Sequence, residues 1–345
     1  MTRVLIVDDS AVVRRVLADA IARIPGMQVV GAAADPYQAR EMIVEQTPDV
    51  ITLDVEMPRM DGLTFLGFLM QHRPTPVVVI SSLTPRGSEE AMRALELGAV
   101  DVICKPGSAY SVADLGPVLG RTLHAASRAK LLPRKPATKR AGPVAKPPVL
   151  TRTTAKLLAI GASTGGTEAI IEVFARLPGD TPGTVIAQHM PPLFTASFAR
   201  RLDQQSAMRV AEAQGGEELL PGLAFLAPGG KHLVVERSGA KYLLRLRDGP
   251  PVHFQKPAVD VLFHSVAHAA GSNAIGVLLT GMGQDGADGL KAMRSAGACT
   301  IAQDEATSVV WGMPKAAIDL GAAQQVLPID RIADHIANRF RRETE

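Results

Sequence analysis

The first 105 residues alternate short apolar runs with segments of helical spacing, and this alternation constrains the fold more than any other feature. The apolar runs cover residues 3–7, 28–33, 50–53, 76–80 and 100–104. Apolar residues also recur at helical spacing, as in residues 11–24, where Pro25-Gly26 ends the pattern. Strands that alternate with helices form a parallel, doubly wound sheet, because a parallel connection needs a crossover. We therefore predict an α/β fold whose site lies at the carboxyl ends of the strands.

The length and composition predict two such domains. A chain of 345 residues exceeds what one hydrophobic core usually holds, and 46% apolar with only 4% aromatic residues suits cores of Ala, Val, Leu and Ile. No apolar stretch approaches the roughly 20 residues that span a bilayer, and no signal peptide is evident. Cys104 and Cys299 form no C-x-x-C pair, so neither a disulfide framework nor a cysteine zinc site is indicated. We expect a cytoplasmic protein without membrane insertion.

A basic, proline-rich segment separates the two predicted domains. Ten Lys and Arg residues and no Asp or Glu lie between residues 115 and 167, so subtracting ten from the net charge of +3 leaves −7 for the rest of the chain. Residues 121–153 show little periodicity and hold five prolines. We predict a helix tail that continues into a flexible linker between domains at 1–120 and 154–345. No aromatic residue lies among these positive charges, so nucleic-acid binding is unsupported.

Polar side chains follow four strands of the first predicted domain at the point where each strand ends. Asp8 and Asp9 follow the first strand, Asp54 the third, Ser81 the fourth and Lys105 the fifth. Three carboxylates at one sheet edge repel one another unless a hard divalent cation such as Mg²⁺ lies among them. A carboxylate held in this way can attack a phosphoryl group. We therefore predict Asp54 as phospho-acceptor, Asp8 and Asp9 as Mg²⁺ ligands, and Lys105 and Ser81 as partners of the phosphoryl oxygens.

These residues lie in motifs that resemble the two-component receiver family over roughly residues 1–120. The motifs are residues 4–10 (VLIVDDS), residues 53–62 (LDVEMPRMDG) and Lys105-Pro106. The resemblance implies a flavodoxin-like fold and phosphorylation of Asp54 by a histidine kinase. It also implies that the backbone carbonyl of Glu56 joins the three carboxylates, that of Asp54 included, around Mg²⁺.

The second predicted domain opens with a glycine-rich turn that carries a single serine. Residues 157–160 form an apolar run, residues 161–167 read GASTGGT, and a helical pattern follows. A hydroxyl at the carboxyl end of a strand, near the N–H groups of a helix start, suits nucleophilic attack or phosphate binding. Thr167 stands where a phosphate loop carries its lysine, which disfavours nucleotide hydrolysis. The literal G-x-S-x-G match leaves Ser163 as a candidate nucleophile.

Two further strand ends supply the partners that a serine nucleophile needs. His189 follows the apolar run 184–188, and Asp285 follows the run 274–280. A serine hydroxyl becomes a good nucleophile when an imidazole takes its proton and a carboxylate holds that imidazole in the right tautomer. We therefore predict Ser163, His189 and Asp285 as nucleophile, general base and orienting carboxylate. The order Ser, His, Asp differs from the Ser, Asp, His order of α/β-hydrolases, so the G-x-S-x-G match does not assign the domain to them.

Two other patterns in this domain have alternative interpretations. Residues 281–286 match the dinucleotide fingerprint G-x-G-x-x-G between a strand and a helix, with the acidic Asp304 about 20 residues on. That fingerprint usually opens the first βα unit of its domain, whereas this match lies near the end, so nicotinamide binding is disfavoured. His264 and His268 have zinc-helix spacing, but Ser265 replaces the glutamate of H-E-x-x-H, and helix packing is the better interpretation.

The three strand-end motifs resemble the chemotaxis protein-glutamate methylesterase family. They are residues 160–168 (IGASTGGTE), 188–191 (QHMP) and 279–286 (LTGMGQDG), and the order of receiver, linker and esterase matches nearly the whole chain. The resemblance implies a Rossmann-like three-layer domain that hydrolyses glutamate methyl esters on methyl-accepting chemoreceptors, often deamidates their glutamines, and needs no cofactor of its own. It also implies a chemotaxis histidine kinase as phosphodonor, the backbone N–H of Met282 in an oxyanion hole, and an assisting hydroxyl on Thr164.

The fusion of an acceptor site to a hydrolase through a linker suggests regulation. We expect the unphosphorylated receiver to pack over the esterase crevice and phosphorylation of Asp54 to shift a closed-to-open equilibrium. The alternative is a response regulator whose output domain binds DNA or a partner protein, with Ser163 purely structural. A DNA-binding output normally carries its basic residues on a recognition helix, whereas here they lie in the linker.

Overall fold

The chain divides into two units, Met1–Leu131 and Leu132–Glu345, and each contains its own sheet. The computed structural model describes residues 1–82, 84–105, 112–131 and 156–342. Pro106 and residues 132–153 of the predicted linker lie outside the described residues. Among the described residues, no helix has both the length and the apolar character needed to cross a membrane.

The sheet of the first unit has five parallel strands in the order β2-β1-β3-β4-β5. The strands are β1 (Thr2–Val7), β2 (Met27–Ala33), β3 (Val50–Asp54), β4 (Val77–Ser81) and β5 (Asp101–Cys104). The helices between and after them are α1 (Ala11–Ala22), α2 (Pro36–Gln46), α3 (Gly62–His72), α4 (Pro85–Leu97) and α5 (Val112–Ser127). This strand order is that of a flavodoxin-like doubly wound sheet, and the fold prediction is confirmed.

The start of α3 and the end of α5 add detail to the sequence-based expectation. α3 begins where the Asp61 side chain accepts a hydrogen bond from Thr64 N at 2.8 Å. α5 continues past the predicted domain boundary at residue 120 and ends only at Ser127. Leu123 and Ala126 are fully buried there, so the helix tail expected after residue 120 is part of the core of the first unit.

The second unit contains a sheet of seven parallel strands in the order β14-β13-β12-β6-β7-β9-β8. These strands are β6 (Leu157–Ala162), β7 (Gly183–Gln188), β8 (Arg209–Glu212), β9 (Leu223–Leu226), β12 (Ala274–Leu278), β13 (Cys299–Gln303) and β14 (Gln325–Leu327). The helices are α6 (Gly166–Phe174), α7 (Phe194–Gln205), α8 (Val259–Ala270), α9 (Ala287–Ser295), α10 (Met313–Asp319) and α11 (Ile329–Arg342). β10 (His232–Ser238) and β11 (Lys241–Arg247) form a separate antiparallel hairpin.

The strand order of the second sheet reverses at β6, and this reversal determines where the site lies. From β6 the chain proceeds to β7 on one side, and it later returns to β12 on the other side of β6 before continuing outward to β13 and β14. In open α/β sheets the crevice beyond the carboxyl ends at such a switch point is the usual ligand site. The ends of β6, β7 and β12 therefore surround one crevice.

Candidate active site

Ser163, His189 and Asp285 lie in one hydrogen-bonded row beyond the ends of β6, β7 and β12. Ser163 Oγ is 3.0 Å from His189 Nδ1, and His189 Nε2 is 2.7 Å from Asp285 Oδ2. The row is largely shielded from solvent, with Asp285 only 2% exposed and Ser163 9% exposed. An imidazole between a hydroxyl and a carboxylate at these distances has the geometry of general-base activation. The catalytic roles themselves stay predictions.

The ring orientation of His189 follows from its two partners. Rotating the imidazole by half a turn about its bond to Cβ would place carbon atoms where the two nitrogens now face Ser163 and Asp285, and both hydrogen bonds would be lost. Because an ionised carboxylate only accepts, Nε2 carries the proton toward Asp285, and Nδ1 is left free to accept from the Ser163 hydroxyl. In this tautomer the ring can take the serine proton without rearranging.

Asp285 is held by the start of α8, which begins 26 residues earlier in the chain. Its Oδ2 accepts from Val259 N at 2.7 Å and its Oδ1 from Asp260 N at 2.9 Å. α8 has no capping side chain at its own N-cap position, Ala258, so the carboxylate fills that role. Burial raises the pKa of Asp285, but the hydrogen bonds from His189 and from these backbone groups outweigh it and hold the pKa below its ordinary value.

The turn that carries Ser163 owes its shape to neighbouring glycines. Gly166 N donates to Ser163 O at 2.7 Å, and Gly165 takes the left-handed conformation at φ 75°. Ser163 is not among the residues with positive φ, so it does not share the strained backbone of the hydrolase nucleophile elbow. Gly161 has a different function, because a Cβ there would lie 2.2 Å from Val259 Cγ1. The glycine lets the start of α8 approach the end of β6.

Gln188 is a residue of the site to which the sequence motifs gave no role. Its side-chain amide lies beneath the row, 2% exposed, and Nε2 donates to Ser163 O at 2.9 Å and to His189 O at 3.2 Å. Two carbonyl oxygens require a donor, which fixes the orientation of the amide. Gln188 thus joins the backbone of the candidate nucleophile to that of the candidate base. Its position directly before His189 in the QHMP motif was the available signal.

Thr164 and Met282 lie beside the row, and their supporting roles stay predictions. Thr164 is buried, and its backbone carbonyl accepts from Thr280 Oγ1 at 3.0 Å. Met282 follows Gly281, where a Cβ would come within 2.7 Å of Ser163 Cβ. The loop of Met282 therefore passes close to the candidate nucleophile, as an oxyanion hole made from its backbone would require.

The other predicted site residues gather at the carboxyl edge of the first sheet. Lys105 Nζ lies 2.7 Å from Asp54 Oδ2, and Glu56 N donates to Asp54 Oδ1 at 3.0 Å. One oxygen from each of Asp8, Asp9 and Asp54 lies within 4.8 Å of the other two. Oδ2 of Asp8 is buried and receives no hydrogen bond from the described residues. This all-oxygen donor set with an unused buried oxygen fits a hard cation such as Mg²⁺.

The electrostatics of this edge agree with a cation-binding role. Burial, reinforced by the Asp54 carboxylate, raises the pKa of Asp8 to about 6. Burial likewise raises the pKa of Asp54, although Lys105 and the backbone of Glu56 oppose it. The Ser81 hydroxyl, fully buried, donates to Gly87 O of α4 at 2.9 Å, so contact with a phosphoryl group on Asp54 would require it to leave that partner.

The two alternative patterns in the second unit can be compared with the structure. Residues 281–286 form the loop that delivers Asp285, and Asp304 caps its own turn by accepting from Thr307 N at 3.0 Å. Among the described residues, two groups of three His, Cys, Asp or Glu side chains come close enough to share a cation, and neither includes His264 or His268. Both histidines lie on α8, but both are exposed, so the packing of that helix does not explain them as the sequence interpretation expected.

Comparison with known proteins connects this geometry to a family. A family model described as CheB methylesterase matches residues 158–336, and one described as response regulator receiver domain matches residues 4–114. The chain is 56% identical over 337 residues to "Protein-glutamate methylesterase/protein-glutamine glutaminase 4" of Anaeromyxobacter dehalogenans (strain 2CP-C), an alignment that covers 97% of this chain and 94% of the relative. The chain belongs to the CheB methylesterase family.

Two further matches extend this assignment. The CheB-family chain is 54% identical over 332 residues to "Protein-glutamate methylesterase/protein-glutamine glutaminase 2" of Pseudomonas aeruginosa PAO1, covering 96% of this chain and 94% of the relative. The crystal structure of the Thermotoga maritima CheB methylesterase catalytic domain is 39% identical, has a TM-score of 0.53, and covers 54% of this chain and 99% of that one. The predicted resemblance, a receiver followed by a CheB-type methylesterase domain, is confirmed.

Proposed function

We propose that this protein hydrolyses the methyl esters of glutamate side chains on chemoreceptors, releasing methanol, and deamidates receptor glutamines at the same site. The observation that carries the proposal is the buried Ser163–His189–Asp285 row in a chain whose relatives over nearly the full length are named for these two activities. The chemistry is acyl transfer from an ester or amide to water.

The first half of the proposed reaction forms an acyl-enzyme. Ser163 Oγ attacks the ester carbonyl carbon while His189 Nδ1 takes the hydroxyl proton, and Asp285 stabilises the resulting imidazolium through its bond to Nε2. The negative carbonyl oxygen of the tetrahedral intermediate would be met by the backbone N–H of Met282. When the intermediate collapses, the C–O bond to the methoxy group breaks and His189 returns its proton to that oxygen. Methanol leaves, and the glutamyl carbonyl is esterified to Ser163.

The second half regenerates the enzyme. A water molecule gives its proton to His189 and attacks the same carbonyl carbon, and collapse of this second intermediate breaks the bond to Ser163 Oγ, which takes the proton back. The product is a free glutamate carboxylate. A glutamine substrate follows the same course, with ammonia in place of methanol.

The receiver would control access to this site. Mg²⁺ held by Asp8, Asp9, Asp54 and the Glu56 carbonyl would neutralise charge during phosphoryl transfer from a chemotaxis histidine kinase. Asp54 would accept the phosphoryl group, with Lys105 beside its oxygens. These partners belong to the cytoplasm, where we place the protein. Phosphorylation would then shift the closed-to-open equilibrium without altering the triad.

Methanol release from methylated receptor membranes tests the proposal. Ser163→Ala should abolish release, while Ser295→Ala, at an exposed position on α9, should not change it. A phosphodonor such as acetyl phosphate with Mg²⁺ should stimulate the wild-type protein, and Asp54→Asn should remove the stimulation. Unchanged release by a folded Ser163→Ala variant would refute the esterase assignment and favour the non-enzymatic output.

A further inference from the structure

The first turns of α8 and α9 lie against each other beside the candidate triad, and each is capped by a carboxylate from the other's segment. Asp285, two residues before α9, accepts from Val259 N and Asp260 N at the start of α8. Asp260 Oδ1 in turn accepts from Gly289 N, in the third residue of α9, at 2.7 Å. The N-cap residue of α9 is Gly286, which has no side chain with which to cap the helix. The two helices are therefore capped reciprocally.

Close packing holds these two helix starts at a fixed spacing. A Cβ on Gly286 would lie 2.6 Å from Val259 Cγ1, and a Cβ on Gly289 would lie 2.6 Å from Phe263 Cβ and 3.1 Å from Asp260 Cα. A side chain at either glycine would collide with α8, so α9 cannot come closer to it. The hydrogen bond from Gly289 N to Asp260 limits how far α9 can move away.

Every oxygen of the two carboxylates has a hydrogen-bond partner. Asp285 Oδ2 faces His189 Nε2, and Asp285 Oδ1 accepts from Asp260 N. Asp260 Oδ2 lies 3.1 Å from His253 Nε2, and its Oδ1 is occupied by Gly289 N. Both carboxylates are buried, Asp260 at 5% exposure and Asp285 at 2%. A cation at this cluster would have to displace these partners, so the cluster is a hydrogen-bonded unit of the fold.

The pKa values of the two carboxylates are shifted in opposite directions. Burial raises the pKa of Asp260, the backbone N–H of α9 opposes this shift, and the charge of Asp285 adds to it. The hydrogen bonds to Asp285 hold its pKa low despite its burial. Among the described residues, His253 and Asp288 also face Asp260 with titratable groups. A proton taken up by the pair goes to Asp260 first and leaves Asp285 ionised. A neutral carboxyl still accepts at Oδ1, so the cap on α9 survives that protonation.

We propose that Asp260 is a positioning residue for the reaction, holding the carboxylate of Asp285 in line with His189. This inference rests on the proposed function. Asp260 acts from two directions, because its backbone N–H binds Asp285 directly and its side chain fixes the start of α9, two residues after Asp285. The loop that carries Asp285 ends at Gly286 with φ 89°, a conformation that glycine adopts freely, so contacts at the ends of the loop decide its path.

Steady-state methanol release from methylated receptor membranes tests the proposal. Asp260→Ala removes the acceptor of Gly289 N and should lower kcat about 30-fold to 100-fold with KM within about threefold, since a displaced Asp285 misaligns the imidazole. Asp260→Asn keeps an acceptor at the same place and should retain kcat within about threefold. Asp203→Ala is the matched control. Asp203 Oδ1 accepts from Val210 N at 2.8 Å between α7 and the edge strand β8, and its loss should leave kcat unchanged.

Two further readouts separate positioning from a loss of stability. A residue that acts through Asp285 has no separate effect once that carboxylate is gone, so adding Asp260→Ala to Asp285→Asn should lower kcat by less than about twofold further. The second readout is the proton on His189 Nε2, whose 2.7 Å bond to Asp285 should give a low-field resonance in the histidine-labelled full chain. His189→Gln assigns this resonance by its loss. It should move or broaden away in Asp260→Ala and stay in place in Asp260→Asn and Asp203→Ala.

The outcomes separate this inference from the proposed function. An unchanged kcat and an unchanged low-field resonance in a folded Asp260→Ala would overturn the positioning role and leave the triad assignment intact. Equal loss of kcat in Asp260→Ala and Asp260→Asn, or in Asp260→Ala and Asp203→Ala, would also overturn it. If the wild type releases no methanol, the proposed function fails, and the resonance still decides the positioning role. If Asp260→Ala does not fold, Asp260→Asn decides it, since loss of the resonance there contradicts a role that depends on the acceptor alone.

Discussion

Replacement of Gln188 by methionine offers a sharp test of how the candidate triad is built. Methionine has nearly the volume of glutamine but cannot donate, so the carbonyls of Ser163 and His189 would each lose a hydrogen bond that is now 2.9 and 3.2 Å long. The Ser163 carbonyl keeps its hydrogen bond from Gly166 N, whereas the His189 carbonyl is left without the Gln188 donor. A carbonyl that loses its donor costs about 1–3 kcal/mol, so the second unit should lose about 1–3 kcal/mol of unfolding free energy. Loss of this link between the two backbones also frees Ser163 Oγ to move relative to the imidazole.

The effect on turnover should exceed the effect of instability alone. A misplacement of about 1 Å between reacting groups can lower a rate by about 10²-fold, so we expect kcat for methanol release to fall about 100-fold while KM stays within about threefold. Gln303→Met is the matched control. Gln303 is equally buried at the end of β13, accepts from Thr280 N at 2.8 Å and donates to Thr307 O at 2.8 Å, but has no hydrogen bond to the triad.

Both variants should therefore unfold at similar denaturant concentrations, and only Gln188→Met should lose most of its kcat. Chemical denaturation of the full chain, followed by methanol release under conditions where each variant remains folded, measures the two quantities. If Gln188→Met and Gln303→Met lost kcat equally, or if Gln188→Met kept the wild-type rate, the proposed positioning role of the amide would be wrong.

Three further substitutions test other parts of the structure. Asp285→Asn should lower kcat by about three to four orders of magnitude, because His189 loses the acceptor that fixes its tautomer. The folded pKa of Asp285 is depressed, so the stability that this carboxylate contributes is present at neutral pH and should disappear as pH falls through that low pKa. The wild type and the variant should therefore become equally stable in acid denaturation. Asp8→Asn should stabilise the metal-free first unit at pH 7 by about 2–3 kcal/mol and abolish Mg²⁺ binding. Its carboxyl has a folded pKa raised from 3.8 to about 6, so the wild type should lose stability as pH rises through 6 in EDTA, and the variant should not. Gly161→Ala should destabilise the second unit by about 1–3 kcal/mol, and Val259→Ala should recover part of that loss, since the added methyl collides with Val259.

These three predictions have separate negative outcomes. A pH-independent stability difference between Asp285→Asn and the wild type would contradict the depressed pKa. Identical pH dependence of the wild type and Asp8→Asn in EDTA would contradict the buried-carboxylate account of the first site. Additive effects of Gly161→Ala and Val259→Ala in a double-mutant cycle would show that the two residues do not collide.

Sequence reasoning located the candidate site because strand ends can be recognised locally. Apolar runs that stop at Ser163, His189 and Asp285, in a chain whose pattern indicates a parallel sheet, place the three side chains at one edge without any knowledge of distances. The same reasoning placed Asp54 and Lys105 together in the first unit. What decides proximity there is topology, and topology follows from the alternation of strands and helices.

The supporting contacts could not be predicted because they join residues with no common local pattern. Asp285 lies two residues before α9 in the sequence, but its carboxylate caps α8, which begins at Val259. The hydrogen bonds of Gln188 to the Ser163 and His189 carbonyls depend on how the ends of β6 and β7 pack together. The extent of α5 was likewise set by burial of residues such as Leu123 against the first core, which the basic composition of the segment concealed.

The close approach of Val259 to Gly161 changes what the G-x-S-x-G pattern means in this family. In the hydrolase elbow the glycines relieve crowding around a strained serine, whereas here Ser163 does not have a positive φ. Each glycine leaves room for a different side chain: Gly161 for Val259, and Gly165 for Val309, which would lie 2.6 Å from a Cβ on that glycine. The two motifs therefore share a sequence pattern, but their glycines are required for different structural reasons. A motif search would rank this domain among proteins with which it shares neither chain order nor the physical reason for its glycines.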